Sequence, residues 1–179
     1  MRLLYLLIMI FVVTTISGCF SNIAVGPSFS EAKKPTANSD LATLYIYRWG
    51  EQENIHPDTN IFINSKELGA LSYAGFTWVQ LPAGKYLIEE KLPLLKRPLG
   101  KEYQYSSIEV VLEPGQTSYV NVYFWTKNFK ESTGLTMIGT TPVWGPIYSN
   151  DGSGSKIESV IPKRALKEIA YCNYQKLNK

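Results

Sequence analysis

From Leu41 onward the chain alternates. In LATLYIYRW, Leu44, Ile46 and Arg48 share one side, and Tyr45, Tyr47 and Trp49 share the other. A period of two is the period of a strand, and a helix cannot gather such residues onto one face. The same reading applies to TNIFIN (59–64), KELGALS (66–72), GFTWVQL (75–81), KYLIEEKL (85–92), YSSIEVVLE (105–113) and TSYVNVYFWT (117–126). Turn residues separate them: Asn64-Ser65-Lys66, the Gly84 of PAGKY, and PGQ at 114–116. About seven short strands at regular spacing predict a mainly β chain, a sandwich or barrel. The stretch YSSIEVVLE-PGQ-TSYVNVYFWT predicts the strongest hairpin, with Val120, Val122 and Phe124 on one face of its second strand. A second hairpin, closed by a positive φ at Gly84, is expected between TWVQL and KYLIEE. Aromatic residues, 12 Tyr and 4 Trp among them, suit this class.

Beyond Lys127 the alternation weakens. TPVWGPIYSNDGSGS reads as a Pro/Gly/Ser loop with a polar tip, and KIESVI as one last strand. Pro162 then suits the first turn of a helix. On a helical wheel Ala165, Leu166, Ile169, Cys172 and Asn173 gather on one side. Lys163, Arg164, Lys167, Tyr171 and Gln175 take the other, so an amphipathic C-terminal helix should pack on the sheet.

The N-terminus has a different character. Arg2 precedes eleven apolar residues, Leu3 to Val13, and the small or polar TTISG follows. That is the layout of an export signal, and the apolar run is shorter than the ~20 residues of a membrane span. It ends in Ile16-Ser17-Gly18-Cys19, which resembles the lipobox of bacterial lipoproteins. The resemblance implies that residues 1–18 are removed and that Cys19 carries a diacylglyceryl group and an acylated amino terminus. A single myristoyl chain holds only marginally, at roughly 0.8 kcal/mol per buried CH₂, so two or three chains make a permanent anchor. By likeness to enterobacterial lipoproteins, Phe20 after the cysteine, where an Asp would favour the inner membrane, implies the periplasmic leaflet of the outer membrane. Residues 20–40 show no hydrophobic period and contain Gly26, Pro27 and Pro35, which predicts a flexible tether from Cys19 to residue 40. Such a tether spans at most about 70 Å extended, or roughly 25 Å as a coil, so the domain at 41–179 is expected to stand clear of the bilayer.

The segments ATLYIYR, IFINSKELGAL, GFTWVQLPAGKYLIEE and LEPGQTSYVNV, in that order, resemble a domain of unknown function found in small bacterial lipoproteins. The likeness covers roughly residues 42–126. It departs at Asn64-Ser65, where the family often has Asp-Gly, and at Pro82-Ala83-Gly84, where Pro-Gly is usual. It implies an immunoglobulin-like or transthyretin-like β-sandwich and brings no activity or catalytic residue with it.

Candidate chemistry is sparse. The formal charge of +3 falls to +2 without Arg2, too little to argue for nucleic acid. His56 stands in the polar loop EQENIHPDT, and no G-x-S-x-G elbow offers it a serine. No set of residues has metal-ligand spacing, no Gly-rich phosphate motif opens a helix, and no cofactor is expected. SNDGSGS lacks the ligand alternation of a calcium loop. Glu89 and Glu90 should point to opposite faces of their strand. Cys172 reads as a buried small hydrophobe or as a reactive thiol. Two aromatic rows remain, Tyr45, Tyr47, Trp49 and Tyr119, Tyr123, Trp125. If exposed, they would bind a glycan or an envelope protein; if covered, they pack under loops and the helix. The expectation is therefore a lipid-anchored envelope lipoprotein without catalytic residues, acting as a binding or structural module. The competing expectation is an envelope enzyme using carboxylates such as Asp58, Glu102 or Glu109 on glycan or lipid.

Overall fold

The computed structural model describes residues 23–50, 58–91, 103–127, 130–138, 141–149 and 152–177. The strands are β1 (Leu41–Tyr47), β2 (Thr59–Ile63), β3 (Lys66–Leu71), β4 (Gly75–Pro82), β5 (Gly84–Lys91), β6 (Tyr103–Gln104) and β7 (Ser107–Leu112). They continue with β8 (Thr117–Lys127), β9 (Lys130–Ile138), β10 (Thr141–Ser149), β11 (Gly152–Ser159), helix α1 (Pro162–Ile169) and β12 (Asn173–Tyr174). One sheet has the order β12-β4-β1-β8-β11-β6 and a second the order β3-β2-β5-β7. The chain is thus a mainly β, sandwich-like fold with one short C-terminal helix, as the alternation predicts.

Strand β1 lies at the middle of the larger sheet. It runs antiparallel to β4, with Tyr45 opposite Trp78, and parallel to β8, with Tyr45 beside Tyr119. Its two faces enter two different cores. Ala42, Leu44 and Ile46 join Val120, Val122 and Ile157, and across the gap they meet Ile61, Leu71, Ile88, Val110 and Leu112 of the smaller sheet. Tyr45 and Tyr47 face the opposite way, into a second cluster with Phe76, Tyr119, Val160, Ala165, Ile169 and Cys172. The outer face of the smaller sheet is open to solvent, with Leu87 and Val111 exposed and Lys85 paired to Glu109 at 3.3 Å.

Both hairpins expected around PGQ and Gly84 are absent. β7 pairs with β5 and β8 with β1 and β11, so PGQ carries the chain from one sheet to the other. The turn is tied to β1: Gly115 N–H donates to the Leu41 carbonyl at 3.1 Å, and Thr43 N–H donates to the Gln116 carbonyl at 2.9 Å. Gly84 likewise links β4 of one sheet to β5 of the other. Its φ of 155° is positive, as expected, but it closes no ladder. Alternation reports which side of a strand is apolar. It is the same whether two strands pair edge to edge or face each other across a core. The turn at Asn64-Ser65 is a true hairpin turn: both residues have positive φ, 48° and 63°, and β2 pairs with β3.

The region read as a Pro/Gly/Ser loop is mostly strand. β9 and β10 form a hairpin of their own, from Lys130 opposite Ser149 to Ile138 opposite Thr141, and β11 begins at Gly152. Pro142 and Pro146 do not prevent this. Four residues apart, they share one phase of the ladder, and a two-stranded ribbon has a free edge on each strand for a missing N–H. These additions bring the described strands to twelve, two of them only two residues long.

Two terminal segments cover the aromatic face of the larger sheet. Helix α1 starts at Pro162 as expected but ends at Ile169. The chain then joins the free edge of β4, where Asn173 N–H donates to the Ala74 carbonyl and Gln175 N–H to the Phe76 carbonyl, both at 2.8 Å. An unpaired sheet edge offers backbone partners that a further helical turn would not use. Asn173 and Gln175 therefore leave the helix, and Leu166 is exposed rather than part of its apolar arc. The expected tether is also changed from Ile23 on. Ile23 pairs with Tyr73, Ala24 and Ala32 are buried, and Phe29 packs edge-on to Tyr45 and Phe76. The segment has no period because isolated bridges and one aromatic ring hold it, not a full strand or helix.

Candidate functional site

The aromatic rows were the first candidates, and most of their rings are enclosed. Tyr47 is 0% exposed, Tyr45 6% and Tyr119 8%, so these three do not offer a partner-binding face. Tyr45 stacks on Tyr119 with ring centroids 5.4 Å apart, and the cover is α1, Phe29, Ala32 and Tyr174. Burial raises the Tyr45 and Tyr119 hydroxyl pKa values above the usual phenol range. Tyr47 is pushed higher still, by burial first and then by its hydrogen bond to Glu168. Its hydroxyl donates to Glu168 Oε2 at 2.5 Å, and Arg164 holds the other oxygen at 2.6 Å and also reaches Glu158 at 2.8 Å. This network fixes the helix to β1 and β11. Tyr123 is half-buried. Trp125 lies in β8, and its side chain is outside the described residues, as are Cys19, His56, Glu102 and the Asn150-Asp151 tip.

One part of the aromatic cluster reaches the surface. Trp49 stacks between Tyr73, 6.2 Å away, and Tyr171, 5.1 Å away, and Tyr171 is 69% exposed. Asn121 supports this corner from the neighbouring strand. It is buried, accepts the Trp49 N–H and donates to the Trp49 carbonyl, both at 3.1 Å. Tyr73 donates its hydroxyl to the Gly50 carbonyl at 2.9 Å. The alternation places Trp49 in a row but offers no signal for Tyr73 or Tyr171, which come from other parts of the chain.

Cys172 follows the helix and is fully buried, next to Ile169 and Ala165. Its pKa is pushed up to about 12, mainly by burial and secondarily by Glu168. A thiol held in that way is a poor nucleophile at neutral pH.

The carboxylates form a different place. Glu90 points inward from β5, opposite Ile61, while Glu89 takes the other phase and pairs with Lys91 at 3.5 Å. Glu90 is 1% exposed and accepts hydrogen bonds from the Thr59 and Ser155 hydroxyls. A cleft of about 300 Å³ opens here, lined by Glu89, Glu90, Lys91, Tyr105, Ser106 and Ser107. Ser106 Oγ accepts the Ile157 N–H at 3.0 Å. Glu109 does not join them. It lies on the outer face, opposite Leu87, and Asp58 immediately precedes β2. Thr59, Ser155 and Glu90 are distant in the chain, so nothing in the sequence announces their meeting. Among the described residues, no group of three or more His, Cys, Asp or Glu is arranged to hold a metal ion. Compared with known proteins, the chain matches no family model, no curated protein and no solved structure.

Proposed function

We propose that this chain is a lipid-anchored β-sandwich of the bacterial cell envelope, held by acyl groups on Cys19, that binds or braces another envelope component. One observation carries the reading: Ile16-Ser17-Gly18-Cys19 stands directly behind the apolar run Leu3–Val13. The stacked corner of Trp49 and Tyr171 supports a contact role at the envelope surface, because aromatic rings with polar tips favour interfaces. Partner and leaflet follow the same reading: a protein or glycan of the envelope, and the periplasmic face of the outer membrane through Phe20. A binding role is preferred to an enzyme acting on glycan or lipid. The buried carboxylate of Glu90 already takes two hydroxyl donors, and Glu109 faces away from it. The test begins with Cys19→Ala. Acyl labelling should vanish and an unprocessed precursor should accumulate, whereas normal processing of this variant would sink the lipoprotein reading. Crosslinking in intact cells, followed by mass spectrometry, should then capture one envelope partner with the acylated protein.

A further inference from the structure

We infer that one edge of the sandwich, formed by Ile23, Val25, Trp49 and Tyr171, rests in the headgroup layer of the membrane as a second, non-covalent contact. The inference rests on the acylation of Cys19 proposed above and adds the orientation of the domain. The chain is docked from Ile23, which pairs with Tyr73, and the Ala24 N–H donates to the Tyr73 carbonyl at 2.9 Å. The C-terminal segment locks it there through Asn173 Nδ2, which donates to the Ala24 carbonyl at 3.0 Å. Four residue steps separate Cys19 from Ile23, a reach of at most about 14 Å. The headgroup layer on each side of the hydrocarbon is itself roughly 5–8 Å deep. An acylated Cys19 thus keeps this edge within roughly 6–9 Å of the headgroup layer even at full extension, and against it when those residues are not extended.

The side chains at that edge suit the position. Ile23 is 57% exposed, Val25 93% and Tyr171 69%, on segments joined to one another through Tyr73 and Trp49. Trp and Tyr concentrate where a membrane meets water, because their rings are apolar and their N–H or O–H groups remain hydrated. Lys167, four residues before Tyr171, is exposed and basic, which suits contact with anionic headgroups. The far side differs. Val111 projects from the outer face of the smaller sheet beside Lys85 and Glu109, a charged and solvated surface.

The experiment uses the full chain, processed in a Gram-negative host and reconstituted in vesicles of phosphatidylethanolamine and phosphatidylglycerol. Val25→Cys, Tyr171→Cys and Val111→Cys each receive a nitroxide. The label is directed to the new thiol, since acylation consumes that of Cys19 and Cys172 is buried. Spin relaxation then compares access of oxygen, which enters lipid, with access of a water-soluble nickel complex. The oxygen-to-nickel ratio should be several-fold higher at residues 25 and 171 than at 111. The mass of the N-terminal peptide is read on the same samples. Acylated protein with equal ratios at all three positions overturns the orientation and leaves the anchor standing. An unmodified Cys19 overturns the anchor, and the orientation with it.

Discussion

At the scale of single residues, Cys172 shows how position outweighs chemical type. Its thiol is enclosed by Ile169, Ala165 and the backbone of Glu168 and Arg48. In the unfolded chain it titrates near its ordinary value of 9.0, and in the folded protein near 12. The folded state therefore holds its proton more tightly. The stability this gives is fully present below pH 9 and is lost as pH rises toward 12. Tyr47, shifted in the same direction, adds to the loss above the ordinary phenol range. Urea midpoints measured from pH 8 upward should decline through that window, and Cys172→Ala should flatten the decline. Native Cys172 should alkylate slowly and denatured Cys172 quickly; equal rates would overturn the packing role. Cys172→Ser should cost about 1–2 kcal/mol because a hydroxyl enters an apolar site, and Cys172→Ala less.

At the scale of elements, the turn between β2 and β3 is the cleanest case. Asn64 accepts the Leu87 N–H at 2.8 Å and tolerates its positive φ, but Ser65 has no such excuse at 63°. Ser65→Gly should raise stability by about 0.5–1 kcal/mol, since paired positive φ values favour Gly in the second place. An unchanged or lowered unfolding midpoint would count against this hairpin. The elements were largely legible. Period two located β1 to β5, β7 and β8 within a few residues, because alternation is a property of each strand alone. Their pairing was not. Val110 and Leu112 of β7 and Val120 and Val122 of β8 look like hairpin partners, yet they face one another across the core. The candidate site suffered the same limit. The Tyr45 and Tyr119 rows were visible, and so was the helix that brings Ala165 over them, but Phe29 and Tyr174 come from segments that no local pattern connects to them. Prolines and glycines in β10 and β11 masked strands whose neighbours tolerate them.

At the scale of the whole molecule, the first and last described segments meet on the aromatic face. Tyr174 N–H donates to the Pro27 carbonyl at 2.8 Å, and Phe29 lies 5.3 Å from the ring of Phe76, which also contacts Tyr174. The chain from Ile23 to Ala32 is thus part of the fold. Phe29→Ala should destabilise the protein by about 2–3 kcal/mol, somewhat below a fully buried Phe truncation. A flexible tether would show no change in melting temperature. The same meeting of ends governs the order in which the protein completes itself. Tyr119 and Tyr174 are 55 positions apart in the chain. Until Tyr174 has followed it, the face of Tyr45, Phe76 and Tyr119 is covered from the N-terminal side alone, by Phe29 and Ala32. A holding factor that shields the open part of this apolar surface has only that interval in which to act.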